Sequence, residues 1–211
     1  MSATVQIKPP NIRVAMLRAI GTAPLVQCKF SAKAKAQMME TQAAGSVARG
    51  KKKREPKDFD SVCEGAVHYS TEGWPGIPAG AFRAGAISAC RLVGFRMTLA
   101  KLSIFVEPDG FDRDDATPLV KLIAEPFRRV DHAVRNATGV ADIRSRPMWD
   151  RWAVDLRVRF DGDQFSLDDV TNLFARVGVQ VGIGEGRPDS RASAGMGWGT
   201  FRLATEGDMQ Q

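Results

Sequence analysis

The sequence predicts an α+β protein in which helices cover one face of an antiparallel sheet. Residues 151–160 ("RWAVDLRVRF") alternate apolar and charged side chains, which is typical of a strand with one buried face. Residues 166–178 ("SLDDVTNLFARVG") begin with a capping signal and end at a glycine, as a helix does. When two irregular stretches are set aside, the predicted core elements follow the order strand, helix, strand, strand, helix, strand. This order predicts a ferredoxin-like (RRM-like) βαββαβ core.

The first half of the chain supplies three of these core elements. Residues 11–20 ("NIRVAMLRAI") alternate in the manner of a strand. The pattern after Pro78 predicts the first core helix, ending near Gly94, because its apolar positions recur at helical spacing. Residues 98–108 ("TLAKLSIFVEP") predict the second core strand. An additional helix is expected over residues 31–45.

The second half supplies the rest. A further strand, in addition to the six elements of this order, is predicted over residues 118–126, after an acidic turn. In the capped helix, Ser166 is the expected N-cap and Asp169 its reciprocal partner, while Gly178 is the expected C-cap. "GWGTFRLA" predicts the last strand. We therefore expect one domain over residues 1–211, with insertions at 22–75 and 127–150.

Composition limits the class of function. The hydrophobic content is 44% and the charged content 26%, and no apolar run has the length of a membrane span. Cys28, Cys63 and Cys90 are widely spaced and odd in number, and with two histidines they predict neither a disulfide framework nor a metal site. We expect a cytoplasmic protein without a cofactor. The net charge of +6 and the pI of about 9.5 favour a polyanionic partner.

A glycine-rich segment is the most unusual feature of the chain. Residues 178–201 hold seven of its 20 glycines. The spacing fits neither a dinucleotide-binding turn, which opens a helix, nor a P-loop, which closes on Gly-Lys-Ser/Thr. Glycines at this density indicate either turns that need positive φ or a ligand that approaches the backbone. The second interpretation predicts a phosphate-binding loop, with these candidate residues: Gly182, Gly184, Gly186, Arg187, Arg191, Gly195, Gly197 and Trp198.

Further basic and aromatic residues fit the same interpretation. The basic run Lys51, Lys52, Lys53 and Arg54 would add salt-dependent attraction to phosphates, although such runs are often only solvated. Trp198 is a candidate for base stacking, as are Trp74 and Trp149, whereas Trp152 is expected in the core.

Two motifs carry a family resemblance. The glycine-rich loop resembles the C-terminal loop of the repeat-associated (RAMP) superfamily, the ferredoxin-fold subunits of CRISPR effector complexes. "GIPAGAFRAGAISACR", with Arg83 and Arg91, is similar to that family's strand-to-helix motif. The resemblance implies a backbone-type subunit, in a complex, a phage or a stand-alone system, that oligomerises along single-stranded RNA, or DNA, and contacts other effector subunits. It also implies a thumb-like excursion at residues 127–150.

Two alternatives stay open. Some RAMP relatives cleave RNA, and the resemblance would give His68, Asp58 or Asp60 that role. No partner for either histidine is evident in the sequence, so we expect a binding protein without catalytic residues. The other alternative is a phage protein that mimics or hijacks such a complex, or that handles single strands during recombination.

Overall fold

The computed structural model describes residues 7–30, 32–43, 58–135, 141–190 and 195–210. Over these residues the protein is α+β. The strands are β1 (Ile12–Gly21), β2 (Leu25–Val26), β3 (Gly76–Pro78), β4 (Ile104–Glu107), β5 (Gly110–Phe111), β6 (Pro118–Lys121), β7 (Ile123–Ala124), β8 (Arg128–Arg135), β9 (Ala141–Trp149), β10 (Trp152–Asp161) and β11 (Phe201–Leu203). The helices are α1 (Ala32–Ala43), α2 (Phe59–Glu64), α3 (Ala79–Ala89), α4 (Met97–Ser103) and α5 (Leu167–Arg176).

The main sheet is antiparallel and has the strand order β11-β1-β10-β4, with β7 on the end of β10. Helices α3 and α5 share a core with this sheet, where Phe82 of α3 meets Phe201 of β11 with ring centroids 6.2 Å apart. The large apolar residues of β10 face this core, and its charged residues face the opposite, open side. The predicted burial pattern of β10 is therefore confirmed.

Helix α5 begins as the sequence predicts but ends differently. Ser166 and Asp169 form the reciprocal capping box. Beyond α5 the chain continues through a π-helical turn, Val177–Val181, and the left-handed residue that stops it is Gly182, with φ of 69°. Gly178 is therefore not the C-cap. A side chain there would overlap the carbonyl oxygen of Phe201, so close packing on β11 explains this glycine.

The predicted strand at residues 98–108 is wrong in its first half. Residues up to Ser103 form α4, and the strand begins only at Ile104. The buried residues Ala100 and Ser103 are three positions apart, which is helical spacing, and Leu102 is 75% exposed. The Ser103 hydroxyl donates to the carbonyl of Leu99, one turn earlier. The high helix propensity of Leu, Ala and Lys thus determines the structure of this segment, and the apolar alternation that predicted a strand is too short to outweigh it.

Residues 127–150 contain a long hairpin that the sequence pattern did not predict. Strands β8 and β9 pair from Arg128↔Met148 to Arg135↔Ala141, and β9 also pairs with β2. The two proposed insertions therefore contact each other through the β2–β9 pairing. A third small sheet has the order β3-β6-β5. Helix α1 agrees with the additional helix predicted over residues 31–45, whose two end residues lie outside the described residues.

Candidate nucleic-acid interface

The glycine-rich loop after α5 is held by the residues around β2. The N–H of Glu185 donates to the carbonyl of Val26 at 2.9 Å, and the N–H of Gly199 donates to the carbonyl of Pro24 at 2.7 Å. Within the loop, the N–H of Ile183 donates to the carbonyl of Gly199 at 2.9 Å. These bonds fix both ends of the loop to one extended segment, so its backbone is anchored over the described residues.

The contacts of the glycines explain most of their number. A side chain at Gly184 would overlap the carbonyl oxygen of Val26, and one at Gly199 would overlap that of Ile183. At Gly186 the indole ring of Trp198 fills the same place. The close approach that predicted a ligand is thus made at these positions by the protein itself. Gly197 differs, since its φ is 73° and no described atom lies within 4 Å of its Cβ position.

Trp198 is partly exposed and lies against a histidine of the hairpin. Its ring centroid is 4.7 Å from that of His132 in β8, with the planes inclined by 46°. The Nε2 atom of His132 is buried and has no hydrogen-bond partner among the described residues. The pair joins the glycine-rich loop to the hairpin through an aromatic contact, which leaves part of the indole open to solvent.

Two arginines of β9 lie on the same face of the hairpin as His132. Arg144 is directly opposite His132, and Arg146 follows two residues later. Both contact the carboxylate of Glu185 in the loop, Arg146 through Nε at 2.5 Å and Arg144 through Nη1 at 3.4 Å. One carboxylate therefore serves two guanidinium groups, and the surface keeps an excess of positive charge.

The arginines that the sequence predicted to bind phosphates make different contacts in the structure. Arg187 lies in the loop and donates from Nη1 to the carbonyl of Gly184 at 3.1 Å. Arg91 is neutralised by Asp189 at 2.8 Å. Arg83 closes the outer edge of β4 by donating to the carbonyl of Ile104 at 3.0 Å. Lys51, Lys52, Lys53, Arg54 and Arg191 lie outside the described residues.

The remaining predicted glycines line the loop itself. Gly182 faces Pro188 and the carbonyl of Trp198, and Gly195 faces the backbone of Pro188. Of the other stacking candidates, Trp149 is buried against Phe127 and cannot stack on a base. Trp74 donates from its indole N–H to Glu72 at 3.1 Å. The structure thus brings together Trp198 and Arg187 with residues that the sequence did not single out, namely His132, Arg144, Arg146 and Glu185.

A second polar cluster joins the extended segment after β2 to the turn before β6. The ammonium group of Lys29 lies 2.7 Å from one carboxylate oxygen of Asp112 and 2.6 Å from Asp114. The other oxygen of Asp112 lies 2.8 Å from Nδ1 of His68. Asp112 is fully buried and the Lys29 side chain is 3% exposed. His68 therefore has the carboxylate partner that the sequence did not reveal.

Burial and hydrogen bonding set the protonation states in this cluster. Burial lowers the pKa of His68, and the bond to Asp112 only partly opposes this effect. For Asp112, burial acts to raise the pKa, but hydrogen bonds from Lys29, from the N–H of Asp114 and from His68 outweigh it and lower the pKa. Asp112 is thus held ionised beside a neutral His68 at pH 7.

The two other predicted catalytic candidates have structural contacts. Asp58 is the N-cap of α2 and accepts from the N–H groups of Asp60 and Ser61. Asp60 is paired with Arg129 at 2.5 Å. In the part of the chain that the structure describes, no group of acidic, histidine or cysteine side chains is arranged to hold a metal ion. None of the described helices is long and apolar enough to cross a bilayer.

Comparison with protein-family models gives no match to this chain. Comparison with curated proteins gives no significant match either.

Proposed function

We propose that the protein binds single-stranded nucleic acid through the surface where the glycine-rich loop meets the hairpin. The observation that carries this proposal is the grouping of a partly exposed indole, Trp198, with Arg187 of the same loop and with Arg144 and Arg146, which share the carboxylate of Glu185. Aromatic faces that accept stacked bases beside guanidinium groups that accept phosphates are what binding without sequence preference requires. The excess of positive charge favours a polyanion over a neutral ligand.

We further propose that the core is ferredoxin-like and that the protein is a RAMP-type relative. The strand order β11-β1-β10-β4, with α3 following β3 and α5 following β10, supports a βαββαβ plan in which the first and third core strands are central. The position of the glycine-rich loop between α5 and β11 agrees with the family's loop. Oligomerisation along RNA remains part of this proposal, as do contacts with other effector subunits.

Fluorescence anisotropy with labelled single-stranded RNA and DNA over a range of salt concentrations tests the binding surface. Trp198→Ala should weaken binding by about 1–3 kcal/mol if the indole stacks on a base. Arg144→Ala and Arg187→Ala should each lower the salt slope by about 0.7.

Arg128→Ala is the matched control, because Arg128 is at the opposite end of the same hairpin and pairs with Asp150. Its affinity should equal that of the unchanged protein. Melting temperatures measured on the same samples separate lost contacts from lost folding. Normal binding by the Trp198 and Arg187 variants would reject this surface as the site.

An endoribonuclease is the second candidate, and the His68–Asp112 pair favours it. A carboxylate that holds Nδ1 fixes the ring and leaves Nε2 as the atom that could accept a proton, and a neutral ring at pH 7 suits a general base. Cleavage of end-labelled RNA that is lost in His68→Ala, but kept in Asp60→Ala, would support this candidate. RNA left intact by the unchanged protein would reject it.

A further inference from the structure

The first half of β1 has a free edge. β11 is only three residues long and pairs with Ala19, Ile20 and Gly21, after which the N–H of Ala204 donates to the carbonyl of Arg18. None of the described residues pairs with β1 before Arg18 on this side. The other side of β1 is paired with β10 throughout.

The direction of the backbone groups along this edge follows from one bond. The carbonyl of Arg18 points toward β11, and backbone groups alternate sides along a strand, so the N–H and C=O of Ile12, Val14 and Met16 point outward at the free edge. The odd-numbered residues should then point to the other side, toward β10. The carbonyl of Asn11 does so, because it accepts from the N–H of Gly162, which follows β10.

The side chains of the same three residues are apolar and exposed. Ile12 is 47% exposed, Val14 54% and Met16 68%, and all three lie on the open face of the sheet, away from α3 and α5. Proteins usually protect a free edge with charge, proline or a bulge, because unpaired donors and acceptors bind other strands. Pro9 and Pro10 end this edge on one side. Between Ile12 and Leu17 the only charged residue is Arg13, whose side chain lies on the opposite face of the sheet from the three apolar side chains.

We propose that a second copy of this chain pairs with this edge, β1 against β1, about a two-fold axis beside Val14. In this antiparallel register Val14 is opposite the partner copy's Val14, and Ile12 is opposite its Met16. Each of the three residues then bonds through both its N–H and its C=O, and the apolar side chains of both copies form one strip across the joined sheet.

This register is favoured over its neighbour. Moving the axis to Ala15 would place Ile12 opposite Arg18, whose carbonyl is already bonded to Ala204. The axis beside Val14 uses all the free backbone groups, disturbs no existing bond and brings no like charges opposite each other. The pattern is thus complementary to itself, which is the requirement for a two-fold contact. Such a contact closes a dimer and does not by itself build a helical array.

The test uses the full chain without nucleic acid, so its outcome is independent of the proposed binding function. Analytical ultracentrifugation should give twice the chain's mass of 23.0 kDa at high concentration and the single mass on dilution. Hydrogen exchange should protect the amides of Ile12, Val14 and Met16 only at concentrations at which the dimer forms. Arg13, Ala15 and Leu17, which bond to β10, are the internal controls and should stay protected at every concentration.

Two sets of variants complete the test. Val14→Pro removes an N–H that points away from the protein, a place where strands tolerate proline, so it should abolish the dimer at near-normal melting temperature. In a Cys28→Ala background, oxidised Val14→Cys should form a covalent dimer, because directly opposite residues have Cα atoms about 5.5 Å apart. Met16→Cys should not, since the two copies of residue 16 would be about 13 Å apart along the strands.

A monomer at every concentration would overturn the proposal. So would a dimer that Val14→Pro leaves intact, and so would equal cross-linking through residues 14 and 16. Protection of the three amides only on addition of an extended peptide from another protein would replace the second copy by a peptide partner.

Discussion

The cluster around Lys29 and Asp112 and the cluster around Glu185 both pair basic side chains with carboxylates, but in different surroundings. Lys29 and Asp112 are nearly inaccessible to water, and each charge has a partner at hydrogen-bond distance. Glu185 and Arg146 are 24% and 14% exposed, and one carboxylate serves two guanidinium groups. The buried cluster therefore joins parts of the fold, whereas the partly exposed cluster retains uncompensated charge that a ligand can use. Burial and charge balance, more than residue type, separate the two roles.

Removing Asp112 should produce the largest effect. Asp112→Ala would leave Lys29 buried without its principal partner, and such a change costs about 3–5 kcal/mol in the free energy of unfolding. Chemical denaturation measures the loss. Asp114→Ala is the control, because Asp114 also contacts Lys29 but is 42% exposed, and it should cost much less. Equal losses in the two variants would contradict the assigned roles.

Acidification should act on the same cluster with a smaller effect. Because burial lowers the pKa of His68, the unfolded chain binds a proton at this residue before the folded protein does. The contribution of His68 to stability is thus complete above its unfolded pKa of about 6.5 and is lost as the pH falls from there through the folded value. Asp112 also contributes to stability. Because its pKa in the folded protein is lowered, this contribution is lost only as the pH falls below the pKa of an ordinary aspartate.

Melting temperatures between pH 8 and pH 5 measure this dependence. The His68→Gln variant keeps a polar group but cannot be protonated in this range, so its profile should be flatter. A profile that is the same in both proteins would show that His68 does not control the acid sensitivity.

In the glycine-rich loop, Gly197→Ala should cost about 1–2 kcal/mol of stability, because its positive φ strains any other residue while the space around it is open. Gly80→Ala is the control, since Gly80 also has open space but an ordinary helical φ in α3. It should be neutral or slightly stabilising. If the Gly197 variant is still fully folded under the assay conditions but loses affinity for single strands, a ligand does approach the backbone there.

The smallest effect on stability should follow from Glu185→Gln, about 1 kcal/mol or less, because its partners can turn toward water. The same change should increase affinity for single strands, since Arg144 and Arg146 are released from their carboxylate. The salt slope should rise by about 0.7 if Arg146, which the carboxylate holds in the unchanged protein, then meets a phosphate. Asp150→Asn, which releases Arg128 at the other end of the hairpin, is the control and should leave affinity unchanged.

The elements that the sequence predicted correctly are those with a clear local pattern of apolar and polar residues that matches the burial seen in the structure. The alternation in β10 and the cap of α5 are confirmed because each is set by a few neighbouring residues. The hairpin was missed because both of its faces carry polar residues, so its strands lack a clear alternation, and because β9 also pairs with β2, more than a hundred positions away. The same reason hid the candidate site. Arg144, Arg146 and His132 become informative only when the β8–β9 register sets them beside Glu185 and Trp198.

The position of β1 in the main sheet has a consequence for synthesis. β1 is made first, yet its neighbours are β10 and β11, from the last third of the chain. During translation β1 therefore emerges with no strand to pair with, and the backbone groups that bond to β10 stay unpaired until residue 161 has left the ribosome. Such distant pairings make folding slow, in the range of milliseconds to seconds. Nascent chains stopped before residue 150 should remain sensitive to protease within β1, and those extended beyond residue 203 should become resistant.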